Sequence, residues 1–454
     1  MANIWLKQYK EKLRTADEAV KCIKDGDWVD YAQLTSVCHD LDQALARRKD
    51  DFENLFVRVS TLQYIPEIFK VDPDGEHFCI NEQSFTPNSR KMKKMGSNVH
   101  FVPHLYHEMG FWYYTGTIGI NVMFVEACPM DEHGYFNLSV IGSTAMDMIK
   151  AKGGNTDSFK IIIEINTTLP RVHGDNNVHI SDVDFIVESK SNEPLPTYPA
   201  IEGDEIDEKI ANNIVNELSD GACLQLGIGG IPNFVGKKIA ESDLKDLGCH
   251  TEMFCDSYVD LFNCGKLTNK RKTVCKDKSL FTFAMGSEKL YEFVNNNPGL
   301  ECWPVSRVND PAVIAQNDKV VSICGCLNID YFGNVSSESI GYKQISGTGG
   351  QLDYHLASFR SNGGKGFVCC HSYKLKKDGT KESTIIPYFQ PGTKVTLPES
   401  ITNYIVTEYG VANLKGQPTW KRTEDIINLA HPDFREELIA GAEKAGIWRR
   451  SNKR

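Results

Sequence analysis

Two hydrophobic patterns recur along the chain. Predominantly apolar runs, rich in β-branched side chains, occur at 160–165, 281–284, 319–323 and 366–370. Such runs read as strands buried on both faces, as in a parallel sheet. Between them, residues 233–241, 289–295 and 423–429 space their apolar side chains at helical intervals, which suits crossover helices. Residues 433–450 read as a charged amphipathic helix. Strands alternating with helices predict an α/β protein with mostly parallel sheets.

The pattern also repeats. Ala19, Val20 and Ile23 at helical spacing lead to Asp25-Gly26 and the strand-like Trp28-Val29-Asp30-Tyr31. Ile214, Val215 and Leu218 lead in the same way to Asp220-Gly221 and Cys223-Leu224-Gln225-Leu226. Downstream, Asp131-Glu132-His133-Gly134-Tyr135 matches Asp330-Tyr331-Phe332-Gly333-Asn334, each after an apolar run. Gly26 and Gly134 are 108 residues apart, and Gly221 and Gly333 are 112 apart. A weaker match sets Phe185-Ile186-Val187-Glu188 against Tyr404-Ile405-Val406-Thr407. Together these predict two tandem, duplicated open α/β domains over 1–190 and 206–454. The linker, 191–205, is rich in Ser, Pro, Glu and Asp.

The copies differ where chemistry is expected. Aligning the Asp-Gly pairs sets Tyr31-Ala32-Gln33-Leu34 against Leu226-Gly227-Ile228-Gly229, so only the second copy carries the glycines. The segment Gly227-Ile228-Gly229-Gly230-Ile231-Pro232 follows a strand, and Pro232 suits the opening of a helix. A strand–loop–helix turn of this kind presents backbone N–H groups around a concavity suited to phosphate, thioester or oxyanion. Glu252 sits near the end of the next short strand-like run, His250-Thr251-Glu252-Met253-Phe254. In a parallel sheet it would emerge on the same edge as the loop. A carboxylate facing N–H donors is equipped for nucleophilic attack on an activated carbonyl. A second glycine cluster, Ser346-Gly347-Thr348-Gly349-Gly350, is either a turn or the other wall of that pocket.

Composition narrows the classes. With 454 residues, 41% apolar and 24% charged, the chain reads as a soluble two-domain protein. A net charge of −10 argues against nucleic acid as a partner. No apolar window spans a bilayer, and residues 1–10 lack the apolar core of a signal peptide, so the expected location is cytoplasmic. The 14 cysteines contain no paired Cys-x-x-Cys motifs. Cys324-Gly325-Cys326 and Cys369-Cys370 lie in apolar runs and read as buried reduced thiols. His104-Leu105-Tyr106-His107-Glu108 is not a zinc-protease motif and has no evident third ligand, so no metal is expected. Pro232 replaces the third glycine of a dinucleotide fingerprint, and no Gly-x-Ser-x-Gly elbow exists. Lys374, Lys376 and Lys377 form a basic turn, either solvated or holding a phosphate.

These blocks, with Val406-Thr407-Glu408-Tyr409-Gly410 and the residues after it, resemble the acetyl-CoA hydrolase/transferase family of class I CoA-transferases over nearly the whole chain. Within it, Asp25-Gly26-Asp27-Trp28, Gly75-Glu76-His77-Phe78-Cys79 and Ile447-Trp448-Arg449 look most like butyryl-CoA:acetate CoA-transferases; the 4-hydroxybutyrate enzymes are similar but less so. The segments 33–35, 83–88 and 354–355 differ from the close butyryl enzymes, which leaves the acyl chain open. The resemblance implies that Glu252 becomes a glutamyl-CoA thioester and that Gly227, Ile228, Gly229, Gly230 and Ile231 form the CoA loop. It implies further CoA contacts at Gly350, Lys377 and, through its backbone, Leu327. No permanently bound cofactor is implied: coenzyme A enters as acyl-CoA substrate, with a short-chain carboxylate as acceptor. A homodimer or higher homo-oligomer is expected, and a hydrolase admitting water to the same intermediate is the alternative.

Overall fold

The structure, a computed structural model, describes residues 4–153, 159–198, 202–227 and 229–449. The chain divides into two compact units, Met1–Tyr198 with Leu280–Val308, and Pro199–Ser279 with Asn309–Arg454. This differs from the continuous 206–454 domain expected from the repeat. Residues 280–308 belong to the first unit because long-range pairing holds them there. Phe283 bridges Ile141 and Cys302 bridges Gly174. The Gly142 N–H donates to the Thr282 carbonyl at 3.0 Å, and the Ser306 N–H donates to Asp147 at 3.1 Å.

The first unit is built on seven strands, β1 (Trp28–Gln33), β2 (Leu55–Ser60), β3 (Phe78–Glu82), β4 (Val99–Phe101), β5 (Val122–Ala127), β6 (Lys160–Ile165) and β7 (Phe185–Glu188). They form one sheet in the order β4-β3-β2-β1-β5-β6-β7, and every pair is parallel. The predominantly apolar runs have the reason expected for them. Val122 and Phe124 of β5 pack into one core, while Met123, Val125 and Ala127 pack into another. Strand periodicity sends alternate side chains to opposite faces, and helices cover both.

In the second unit, β8 (Cys223–Leu226), β9 (Gly248–Phe254), β10 (Val320–Gly325), β11 (Lys365–Cys369), β12 (Tyr404–Thr407) and β13 (Gly410–Asn413) follow the order β9-β8-β10-β11-β12-β13. Only the terminal β12–β13 hairpin is antiparallel. The order β2-β1-β5-β6-β7 of the first unit therefore recurs as β9-β8-β10-β11-β12.

The repeat extends to single hydrogen bonds. Gly26 and Gly221 have φ of +79° and +77°, and their N–H groups donate to the Asn54 and Lys245 carbonyls. Gly134 and Gly333 have φ of +87° and +86°. Asp131 accepts from the His133 and Tyr135 N–H groups, as Asp330 does from those of Phe332 and Asn334.

In the second unit the strand order reverses at β8, which lies between β9 and β10. Open α/β sheets bind ligands outside the carboxyl ends of their strands at such a reversal. Among the described residues, no helix is long and apolar enough to cross a membrane.

Candidate active site

The glycine loop leaves β8 at its carboxyl end. The Leu226 N–H donates to the Tyr258 hydroxyl at 2.7 Å, and that hydroxyl donates to the Leu224 carbonyl, which pins the strand end. A helix, Glu205–Val215 (α1), precedes the strand, and α2 (Gly230–Glu241) follows the loop. Helix α2 starts two residues before Pro232, which sits in the first turn, where its missing N–H costs nothing. Its N-cap is Gly229, and no side chain caps the exposed amides of this twelve-residue helix. A Cβ at Gly230 would lie 2.2 Å from Asp207 Oδ2 of α1, so the close contact between α1 and α2 admits only glycine there.

Strand β9 brings up Glu252. Its register against β8 pairs Cys223 with Gly248 and Leu224 with Cys249. Continued three residues, that register sets Glu252 beside Gly227. The Asn309 Nδ2 donates to Glu252 Oε2 at 2.7 Å, and the Gly350 N–H also donates to the carboxylate. Gly350 is the N-cap of α3 (Gln351–Arg360). The fit is tight: a Cβ on Gly350 would lie 2.1 Å from Glu252 Oε2 and 2.4 Å from Asn309 Nδ2. Burial pushes the Glu252 carboxyl up to about 7, and the nearby Asp353 carboxylate adds to the rise. The two hydrogen bonds favour the charged form but do not offset the desolvation.

Glu252 keeps one face open to a cavity of about 520 Å³, walled by Gly227, Gly229, Gly230, Ile231 and Gly350 and by the glycine cluster 346–349. A second cavity of about 550 Å³ shares Ile231, Gly325 and Cys369 with it and carries Leu327 and Lys374 on its wall. The two adjoin at these shared residues, and the second is also walled by Tyr373, Lys374 and Leu375 of a basic hairpin (Tyr373–Leu375 with Lys381–Ser383).

Most of the residues singled out in the sequence thus come together. Gly227, Gly229, Gly230, Ile231 and Gly350 face Glu252 across the first cavity. Ile228 lies outside the described residues. Leu327 lines the second cavity, and its N–H is already donated to the Ser336 carbonyl at 2.8 Å. Lys377 is exposed in the hairpin turn, off the cavity wall; Lys374 is the lysine on that wall, 3.1 Å from Glu382. Asp204, Asp207 and His371 also stand within reach of one another, but the Asp204 side chain caps α1 and Asp207 accepts from its backbone.

Residues 3–196 match the acetyl-CoA hydrolase/transferase N-terminal domain and residues 286–442 the C-terminal domain. The chain belongs to the acetyl-CoA hydrolase/transferase family. Among curated members of that family, it is 43% identical to the butyryl-CoA:acetate CoA-transferase of Anaerostipes caccae, over 98% of this chain and 99% of that one. It is 42% identical to the probable butyrate:acetyl-CoA coenzyme A-transferase of Syntrophomonas wolfei, over 99% and 98% of the two chains. Among solved structures, RipA from Yersinia pestis superposes with a TM-score of 0.87 at 35% identity, covering 98% of this chain and 99% of that one.

Sequence reasoning missed Asn309. It lies 57 residues from Glu252 in a Val-Asn-Asp-Pro stretch, where asparagine reads as an ordinary turn or cap residue. Nothing in its local pattern marks it as the partner of the carboxylate.

Proposed function

We propose that this chain transfers coenzyme A from a short-chain acyl-CoA, butyryl-CoA above all, to a carboxylate acceptor such as acetate, through a covalent glutamyl-CoA thioester at Glu252. The observation that carries the reading is a half-buried carboxylate, raised to about 7 and gripped by Asn309 and Gly350, in the wall of a cavity that adjoins the one carrying Lys374. The likeness to butyryl-CoA:acetate CoA-transferases of matching length supports the choice of substrates.

Asn309 holds Oε2, so Oε1 is the attacking atom. It adds to the acyl-CoA carbonyl, and collapse expels CoA thiolate and leaves an acyl-glutamyl anhydride. The thiolate then attacks the glutamyl carbonyl, releases the donor acid as its carboxylate and leaves the glutamyl-CoA thioester. An acceptor carboxylate runs the two steps backwards, so the kinetics are ping-pong.

One thioester replaces another, and no external energy source enters the balance. In the second step negative charge develops on the glutamyl oxygen Oε2, which Asn309 Nδ2 already addresses, while the Gly350 N–H donates to the same carboxylate. In the first step it develops on the acyl oxygen, where the uncapped amides at the start of α2 are the available donors. Loss of one such donor typically costs about 3 kcal/mol. The carboxylate's raised basicity also makes it a better nucleophile once it is ionised.

Intact-protein mass after mixing with butyryl-CoA and no acceptor tests the reading. A gain of CoA less water in the wild type, absent in Glu252→Gln, is the expected result. Consumption of butyryl-CoA with no dependence on added acetate would instead mark a hydrolase that admits water to the same intermediate.

A further inference from the structure

Four thiols meet at the carboxyl edge of β10 and β11. Gly325 pairs with Cys369 across these parallel strands, and the Cys326 N–H donates to the Cys369 carbonyl at 3.1 Å. The same register sets Cys326 beside Cys370. Cys370 belongs to an apolar cluster against which Cys326 packs, and the Cys370 Sγ lies 3.7 Å from Thr384 Oγ1. Neighbouring strands lie about 4.8 Å apart, within the Cα separations that a disulfide tolerates. Both residues line the cavity that carries Leu327 and Lys374. Cys326 is partly open to that cavity, whereas Cys370 is 5% exposed. The neighbouring Cys324 is engaged elsewhere, 3.6 Å from Gln225 Oε1 and 3.5 Å from Ser322 Oγ.

We propose that Cys326 and Cys370 form an oxidisable dithiol in the wall of the coenzyme A path, and that their disulfide closes that path to acyl-CoA. The proposal rests on reading this cavity as the route of coenzyme A. The oxidant is a peroxide. The Cys326 thiolate attacks one peroxide oxygen, the O–O bond breaks, and the sulfur becomes a sulfenic acid as one water leaves. The Cys370 sulfur then attacks the sulfenic sulfur and expels a second water. Two thiols lose two electrons and two protons in all, and one hydrogen peroxide becomes two waters.

The adjacent Cys370 side chain, and then burial, hold the Cys326 thiol well above its ordinary value, so the first step is slow at neutral pH and quickens as pH rises. The bond would fix Leu327's segment to the start of the lysine hairpin and place a rigid bridge in the wall. An acyl-CoA occupying the same cavity covers Cys326 and shields it.

The test treats the full-length protein with hydrogen peroxide, with and without butyryl-CoA, and follows transfer activity beside peptide mapping of non-reduced digests. The expected result is a Cys326–Cys370 linked peptide and a loss of two hydrogens in mass. Activity should fall in proportion to the linked fraction, return with dithiothreitol and survive when butyryl-CoA is present during treatment. Cys326→Ser and Cys370→Ser should each keep, after peroxide, whatever activity they had before it. A different pairing, no linked peptide, or a linked protein of undiminished activity would each overturn the proposal. Activity of the untreated protein tests the transferase reading separately, because the linked peptide is detected whether or not the enzyme turns over.

Discussion

Replacing Asn309 with leucine removes the side-chain donor from a buried carboxylate while keeping the volume of the residue. The bond it breaks, 2.7 Å from Nδ2 to Glu252 Oε2, is one of two that favour ionisation against burial and the Asp353 charge. A hydrogen bond to a charged group is worth about 1.5–3 kcal/mol, which moves the Glu252 midpoint up by about one to two pH units. With the wild-type group at about 7, half the enzyme carries the nucleophile at pH 7. In the variant that fraction falls by about 7-fold to 80-fold on the same scale. The assay is the pH dependence of kcat/KM for butyryl-CoA with saturating acetate. The wild type should show an acid limb with its midpoint near pH 7, and Asn309→Leu should move that limb to higher pH. Part of the deficit should therefore be recovered by pH 9. What remains there measures the lost donor to the glutamyl oxygen in the second step. An acid limb that stays where it was, with a deficit equal at every pH, would refute the claim that Asn309 governs the ionisation of Glu252.

Three further outcomes follow from the same geometry. Gly350→Ala places its Cβ 2.1 Å from Glu252 Oε2 and should abolish adduct formation, whereas Gly227→Ala, with nothing within 4 Å of its Cβ, should fold normally and lose activity only by narrowing the cavity; thermal unfolding beside adduct yield separates the two. Lys374→Ala should raise KM for acyl-CoA by about ten-fold if one charge-assisted contact of about 1.4 kcal/mol is lost, with the KM for acetate unchanged and a smaller effect from Lys377→Ala. Glu252→Gln should stabilise the protein at alkaline pH. Below pH 4.5 the carboxyl is neutral whether folded or unfolded, between 4.5 and about 7 only the unfolded chain ionises, and above that the fold bears a buried charge. A rise from 4.5 to about 7 corresponds to a cost of about 3 kcal/mol, so denaturation at pH 8 should show a gain up to that size that vanishes at pH 4.

The features legible in the sequence are those whose cause is local. The glycine loop announces itself because closely spaced glycines between a strand and a helix have few other uses, and Glu252 stands out against the apolar residues of β9. The run 281–284 is a buried strand, as its side chains require, yet no local pattern says which unit it joins; its bridge is to Ile141, far along the chain. The lysine turn shows the same limit at shorter range. Three lysines within four positions look equivalent until the hairpin register sets Lys374 opposite Glu382 and leaves Lys377 in the turn. Asn309 is the extreme case, since its whole significance lies in a side chain 57 residues away.

The duplication explains why the frame was easier to read than the chemistry. Counted along the strands from the Trp28–Phe56 and Cys223–Gly248 pairs, Ser60 is equivalent to Glu252 and Ala32 to Gly227, although a register shift after Asp30 sets Ser60 beside Gln33. Both units keep the Asp-Gly entry to the central strand, the Asp-capped turn with its positive-φ glycine, and the same strand order, because these features hold a sheet together whatever it binds. At the first unit's strand end Ser60 is buried, and the next residue, Thr61, has φ of +56° with its N–H donated to Glu82. The Glu82 carboxylate is spent on the Thr61 and Ser84 N–H groups and the Ser89 hydroxyl of its own unit. In the second unit the equivalent edge carries a carboxylate with one face open to a cavity, beside a glycine whose missing Cβ leaves room for a ligand. A reaction centre on a repeated frame therefore needs only a few positions at one strand edge to differ, and those are the positions at which the two copies depart from each other.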